Sequence, residues 1–125
     1  MILLDSNILI YSASEQYKSL RVLFKKSDAG CSVITKLEVL GYPKITSEQI
    51  RYFDAVFKVI DIFPITHEII EQAITYRQKK SFSVGDAIIV STAKIYKCEL
   101  FTCNTDDFKS IKDFKIINPL ISPHK

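Results

Sequence analysis

The chain has 125 residues, of which 47% are hydrophobic and 25% are charged, and its formal net charge is +3. This length and composition are typical of one globular domain with a real core, and they exclude a disordered chain. Because the sequence has only three glycines, a glycine-rich phosphate loop or a dinucleotide-binding fingerprint is also excluded. The small positive charge is a weak indication of a polyanionic partner.

Several other classes are disfavoured by the cysteines, the histidines and the apolar runs. The three cysteines are odd in number, form no Cys-x-x-Cys pair and adjoin apolar runs, so we expect reduced thiols in a cytoplasmic protein. His67 and His124 are far apart, and neither has a cysteine at zinc-site spacing. No apolar run approaches the roughly 20 residues that span a bilayer. Asp5 interrupts the N-terminal apolar segment, so we do not expect a signal peptide.

Short apolar strands alternate with amphipathic helices along the chain. Strands are predicted at 1–4, 31–34, 59–63, 99–103 and 114–117. Helices are predicted at 8–13, 15–27, 35–40, 66–80 and 83–96, and a further helix starts at Thr46 or Ser47. This alternation predicts a three-layer α/β/α sandwich around a mostly parallel sheet of about five strands. We expect one domain over residues 1–125, with 119–125 as a C-terminal tail.

Four acids are predicted at the carboxyl edge of this sheet, where parallel α/β proteins form their sites. Asp5 ends the first strand, and Glu38 is expected in the first turn of the helix after the second strand. Asp86 is expected in the first turn of its helix, and Asp107 follows the fourth strand by a few residues. The topology therefore predicts that these four carboxylates lie near one another.

Helix capping gives a second interpretation of the same acids. The segments 35–38 and 83–86 fit the capping-box pattern, 104–107 has the same spacing with Asn104 as the cap, and Asp5 fits an N-cap. Capping does not explain why the acids stand among apolar residues, where several carboxylates repel one another and resist ionisation. A bound cation removes that conflict, so the sequence favours a metal site without excluding caps.

The carboxylate oxygens of these acids indicate which kind of metal ion the predicted site would bind. Carboxylate oxygens suit hard cations such as Mg²⁺, which usually takes one or two carboxylates and keeps several waters. Such an ion activates water and orients a phosphate. No Ser-His-Asp set competes with this interpretation. An aspartyl-phosphate phosphatase of the haloacid-dehalogenase type needs a second Asp two residues after the first, and Asn7 occupies that position.

Four segments in order resemble one known family over nearly the whole chain. They are DSNILIY, TKLEVLGYP, SVGDAIIVSTA and LFTCNTDDF. Together they resemble the PIN-domain ribonucleases, and most of all the VapC-like toxins of type II toxin–antitoxin pairs. The resemblance implies a cytoplasmic, Mg²⁺- or Mn²⁺-dependent endoribonuclease that hydrolyses RNA, forms a homodimer and is blocked by a cognate antitoxin.

The same resemblance implies roles for individual residues. Asp5, Glu38 and Asp86 match the family motifs directly as catalytic and metal-binding acids. Asp107 matches the fourth acid in some members, whereas others use the position of Asn104, and Asp106 is a further competitor for this fourth position.

Asn7, Asn104 and Asp106 are expected to support the ligands. Many toxin members have an arginine where this chain has Cys103, which removes one possible RNA contact.

Basic and aromatic residues provide the candidate RNA contacts. Lys36 lies beside Glu38, and Arg77, Lys79 and Lys80 precede the helix of Asp86, so these cations are expected to contact phosphates. Their alternative role is to complement a helix dipole. The aromatic rings Tyr11, Tyr42 and Phe82 are candidates for stacking on bases, with core packing as the alternative. A catalytically silent PIN-like module that binds RNA or protein is the alternative function.

Overall fold

The computed structural model describes residues 1–120, and the last five residues, including His124, lie outside the described part. Five strands form one sheet in the order β3-β2-β1-β4-β5, and every neighbouring pair is parallel. The strands are β1 Ile2–Leu4, β2 Ala29–Ser32, β3 Asp61–Phe63, β4 Glu99–Phe101 and β5 Ile116–Ile117. The parallel sheet of five strands is confirmed.

Helices connect the strands and cover both faces of the sheet. They are α1 Ser6–Ser12, α2 Val33–Leu40, α3 Ser47–Val59, α4 His67–Lys79 and α5 Val84–Tyr96. Two 3₁₀ segments, Glu15–Lys25 and Thr105–Phe108, complete the described helical structure. Among residues 1–120, none of these helices has the length and apolar character needed to cross a membrane.

Alternating side chains of β1 show how the sheet separates two cores. Ile2 and Leu4 are buried with the helices α1 and α3 on one face, whereas Leu3 is buried with α4 and α5 on the other. A strand buried on both faces needs apolar residues throughout, which explains its continuous apolar run. The predicted three-layer α/β/α arrangement is therefore confirmed.

The prediction of the second strand was wrong in position. β2 ends at Ser32, whose hydroxyl accepts the Ile34 N–H at 3.1 Å and caps α2. Val33 and Ile34 are thus helical, although their β-branched side chains favour a strand. Thr35 is not a cap but a buried residue inside α2, and Glu38 lies in the second turn rather than the first. The capping serine outweighed the local strand preference.

Other boundaries also differ from the prediction. The predicted helix 15–27 is a 3₁₀ segment kinked at Tyr17, where φ is −114° and ψ is 24°. The third strand begins at Asp61 because α3 continues to Val59. The fourth strand ends at Phe101, and the fifth is limited to Ile116–Ile117. These differences leave the order and type of the strands unchanged.

The strand order places β1 at the centre of the sheet, between β2 and β4. The chain adds β2 and β3 on one side of β1 and then returns to add β4 and β5 on the other. Such a reversal opens a crevice at the carboxyl ends of the strands, which is the usual position of a site in parallel α/β folds.

Candidate active site

Asp5 is the most buried acid of this crevice, with 5% of its surface exposed. It directly follows β1 and caps α1, since its Oδ1 accepts the Ser6 N–H at 2.8 Å. Its Oδ2 accepts the Thr102 hydroxyl at 2.7 Å and the Asn7 side-chain amide at 3.3 Å. The predicted N-cap role is therefore confirmed. The other oxygen, Oδ2, is bound by Thr102, which directly follows the neighbouring strand β4.

The pKa of Asp5 shows the electrostatic cost of this position. Burial raises the pKa of its carboxyl from 3.8 to about 6, although the hydrogen bonds from Thr102 and the Ser6 N–H act in the opposite direction. The charges of Asp86 and Glu38 add to the increase. The pKa of Asp5 therefore depends on the charges of two other predicted acids.

Glu38 reaches the crevice from the second turn of α2. The Ser6 hydroxyl donates to Glu38 Oε1 at 2.5 Å and lies 3.0 Å from the Thr35 hydroxyl. The other carboxylate oxygen, Oε2, lies against Gly85 so closely that a Cβ there would overlap it. Gly85 precedes Asp86 in the chain, so Glu38 is held directly beside the first turn of α5.

Asp86 lies in that first turn and is half-buried. Its backbone N–H donates to the Ser83 hydroxyl at 3.1 Å, which confirms the predicted cap. Burial raises the pKa of Asp86, and the charges of Asp107 and Glu38 raise it further. The pKa of Asp86 thus responds both to Glu38 and to Asp107.

The segment after β4 separates the three competitors for the fourth acidic position. Asp107 raises the pKa of Asp86 through its charge, and its Oδ2 accepts the Asn104 side-chain amide at 2.7 Å. Asn104 forms no side-chain cap of the 3₁₀ segment, so that predicted role was wrong. Asp106 is exposed and is not among the charges that affect Asp86. Asp107 is exposed as well, so the effect of its charge on the pKa of Asp86 is what distinguishes it from Asp106.

Two residues that organise the site were missed by the sequence interpretation. Ser6 connects Asp5 and Glu38, and the Thr102 hydroxyl bonds to Asp5 while it also accepts the Asn104 N–H at 3.0 Å. Both side chains are buried polar groups, and their positions directly after β1 and β4 were the available signal. Asn7, which was predicted to support the site, accepts the Cys103 N–H at 3.2 Å and thus connects the start of α1 to the segment after β4.

The predicted basic contacts are arranged in different ways. Lys36 extends its amine over the Phe57 ring at 5.7 Å, and Arg77 Nε donates to the Phe82 carbonyl at 3.1 Å. Lys79 is exposed, and the Lys80 amine lies 5.9 Å from the centre of the Phe82 ring. Arg77 therefore supports the turn before α5, while Lys79 and Lys80 form a different surface, described below.

The predicted stacking residues also differ in their exposure. Phe82 is 5% exposed and packs edge-on against Tyr76, so core packing, the alternative to base stacking, is confirmed for this ring. Tyr42 is exposed, and Tyr11 is exposed but stacked on Tyr17 with ring centres 5.2 Å apart. All three cysteines are free thiols; burial raises the pKa of Cys103, and the charge of Asp5 raises it further.

The oxygen donors of the crevice fit a hydrated hard cation better than a closed protein cage. Within residues 1–120, no three acidic, histidine or cysteine side chains are grouped closely enough to ligate one ion directly. Mg²⁺ normally takes one or two carboxylates and completes its shell with water and substrate oxygens. Asp5 and Asp86, whose raised pKa values reflect burial and repulsion from neighbouring carboxylates, are suitable donors for such an ion.

The chain is a parallel α/β domain with an acidic crevice at the switch point of its sheet. Its similarity to known proteins identifies the family. The family model of the PIN domain matches residues 2–113. The chain belongs to the PIN domain family. No curated protein matches the chain.

Solved structures extend this result. The chain is 30% identical to a chain of a toxin–antitoxin complex from Klebsiella pneumoniae, with a TM-score of 0.79 over 95% of this chain and 98% of that chain. It also resembles the DNA-bound VapBC of Salmonella typhimurium, with 17% identity and a TM-score of 0.80 over 93% and 96% of the two chains. Mycobacterium tuberculosis VapC20, a toxin that cleaves the sarcin–ricin loop, gives 12% identity and a TM-score of 0.68 over 88% and 95%. The last two show likeness of fold alone.

Proposed function

We propose that this chain is a metal-dependent endoribonuclease and the toxin of a toxin–antitoxin pair. One observation carries the proposal: in this PIN domain the charges of Glu38 and Asp86 help to raise the pKa of Asp5, and those of Asp107 and Glu38 help to raise the pKa of Asp86. Burying carboxylates costs free energy unless a charge compensates it, so such clusters favour a functional site.

The relatives support the toxin part of the proposal. The structure from Klebsiella pneumoniae, which covers almost the whole chain, is a toxin–antitoxin complex. VapC20, which shares the fold, cleaves the sarcin–ricin loop. We infer that RNA is the substrate of this chain and that a cognate antitoxin binds it. We further propose that it acts in the cytoplasm as a homodimer, as the sequence resemblance implies.

Each residue of the crevice has a distinct task in this proposal. Asp5 and Asp86, with Glu38 and Asp107 nearby, would hold Mg²⁺ or Mn²⁺. The bound ion would supply activation of water and stabilisation of charge at the scissile phosphate. Thr102 and Asn7 orient Asp5 through its Oδ2. The Ser6 hydroxyl fixes one oxygen of Glu38, and its other oxygen remains a hydrogen-bond acceptor for water or for the substrate.

Substitution of the two central acids tests the proposal. Asp5→Asn and Asp86→Asn keep the side-chain shape but remove the charge, so we expect RNA cleavage to fall more than about 100-fold, beyond the loss typical of residues that only support a metal ligand. Asp54→Asn, an exposed change on α3, is the control and should cleave like the wild type. Cleavage is measured on gels with purified protein and Mg²⁺ or Mn²⁺, and thermal melts verify the fold.

Chelation provides an independent test of the metal. EDTA should stop cleavage by the wild type, and excess Mg²⁺ or Mn²⁺ should restore it. Full activity in EDTA, or full activity of either central variant, would contradict the metal-site proposal. A wild-type protein that binds RNA but cleaves none of it with either metal would instead identify a silent binding module.

A further inference from the structure

A groove of about 540 Å³ opens on the α4–α5 face. Its walls come from the C-terminal end of α4, from α5 and from the segment that follows the second 3₁₀ segment. Lys79 and Lys80 end α4, Lys94 lies on α5, and Lys112 lies in the following segment. Three separate parts of the chain therefore contribute ammonium groups to one groove.

The charge of this groove is unusual for the molecule. Four lysines and one acid, Asp113, line it, which gives a formal charge of +3, equal to the net charge of the entire chain. Asp113 is already bound, because it accepts the Tyr76 hydroxyl at 2.9 Å and pairs with Lys94 at 3.1 Å. Lys79, Lys80 and Lys112 form no salt bridge with any residue of 1–120. Their charges remain available to an anionic partner.

Two observations place the lining of the groove near the residues of the acidic crevice. Its Phe82 stacks on Phe108, with ring centres 6.3 Å apart, and Phe108 directly follows Asp107. Phe82 also lies four residues before Asp86, and the helix cap Ser83 stands between them. Four residues span at most about 14 Å, so an extended polyanion that lies in the groove can reach the acids.

We propose that this groove binds the sugar–phosphate backbone of single-stranded RNA next to the position that is cleaved. The inference rests on the proposed function. Lysines on both walls suit a chain of phosphates, since each ammonium contacts one phosphate as a point charge. Tyr76 and Phe82 are buried in the floor, so the groove offers no open aromatic face for stacking on a base. It holds the strand in position, and the nucleotide sequence is read elsewhere.

A triple substitution in the groove tests this inference. Lys79→Gln, Lys80→Gln and Lys112→Gln are combined, while Lys94 is kept because it pairs with Asp113. Binding of fluorescein-labelled single-stranded RNA is measured by anisotropy in EDTA, so that cleavage does not interfere. We expect affinity to fall at least about tenfold near 100 mM salt, and the slope of log affinity against log salt to fall by roughly 2.

A second triple variant, Lys18→Gln, Lys25→Gln and Lys58→Gln, is the matched control. It removes the same charge from exposed residues on the opposite layer and should bind RNA like the wild type. Replacement of the three groove lysines by arginine should preserve binding. With Mg²⁺ present, the groove variant should show a higher KM for RNA and an unchanged kcat.

The outcomes separate this inference from the proposed function. Equal loss of affinity in the groove and control variants, or no loss in the groove variant, would overturn the inference while the nuclease proposal stands. If poly-glutamate binds the groove more tightly than RNA does, the groove is a site for an acidic peptide. That result would also overturn the inference. A wild-type chain that neither binds nor cleaves RNA would contradict the proposed function itself.

Discussion

Gly85 illustrates, at the residue scale, how an absent side chain shapes the site. The residue has no positive φ, so it is not needed for an unusual backbone conformation. It is needed for space, because a Cβ at this position would overlap the Glu38 carboxylate. Gly85 therefore allows two acids from different helices, Glu38 and Asp86, to stand side by side.

Gly85→Ala should consequently reduce cleavage with little change in the fold. The added methyl must displace Glu38, and a displacement near 1 Å can cost on the order of 100-fold in rate. The measurement is kcat for RNA cleavage with saturating Mg²⁺. Val84→Ala, which changes the exposed neighbour, is the control and should keep wild-type kcat. Unchanged kcat in Gly85→Ala would mean that the exact position of Glu38 is unimportant.

The polar residues around Asp5 act at the same scale. Thr102 directly follows β4 and Asn7 lies on α1, and both donate to the same oxygen of Asp5. Hydrogen bonds to a carboxylate favour its charged form, which opposes the effect of burial. The site thus keeps Asp5 oriented and ionisable, although its pKa is still raised to about 6.

At the scale of elements, α5 both closes the core and presents Asp86. Its residues Ala87–Ala93 are all buried, whereas its first turn faces the crevice. The Ser83 cap fixes the N–H of Asp86 itself. A helix cap and a proposed metal-binding acid are therefore combined in one turn, so the capping and metal-site interpretations of Asp86 are compatible.

Two cap substitutions distinguish the stability of a helix from its role in the site. Ser83→Ala and Thr46→Ala each remove a side-chain cap, from α5 and α3 respectively, and each should lower the free energy of unfolding by about 1 kcal/mol. Only Ser83→Ala should also lower the cleavage rate, because its cap holds Asp86. Urea unfolding and RNA cleavage are measured on both variants. An equal effect on cleavage would show that activity follows stability alone.

At the scale of the whole molecule, the crevice makes stability depend on pH. The pKa of Asp5 is about 6 in the folded chain, against 3.8 for an ordinary aspartate. Between these values the folded state binds more protons than the unfolded state, so the free energy of unfolding falls as pH rises. The stabilisation from protonated Asp5 is complete below about pH 3.8 and is lost as pH rises through about 6.

We therefore expect the metal-free protein to be more stable at pH 5 than at pH 8 by about 1 kcal/mol from Asp5 alone. Urea unfolding in EDTA at the two pH values measures this difference. Asp5→Asn lacks the titrating group, and its pH dependence should be smaller by the same amount. Identical pH dependence in the two proteins would contradict the raised pKa of Asp5.

The sequence predicted those features that depend on local patterns. The apolar run before Asp5 predicted a buried parallel strand, and the caps Thr66 and Ser83 were correctly identified. It failed where two local signals conflict, as at Val33 and Ile34, which favour a strand but follow the cap Ser32. It also missed Ser6 and Thr102, since their hydrogen bonds join residues that are far apart in the chain.

By itself, the sequence determined the alternation of strands and helices and therefore which acids lie at the carboxyl edge of a parallel sheet. Hydrophobic periodicity and capping are local properties, so they can be read along the chain. Only the tertiary structure showed that the charge of Asp107, and not that of Asp106, acts on Asp86, that Glu38 lies on Gly85, and that lysines from three segments form one groove. Those arrangements depend on contacts between distant segments, which arise from the packing of helices against the sheet.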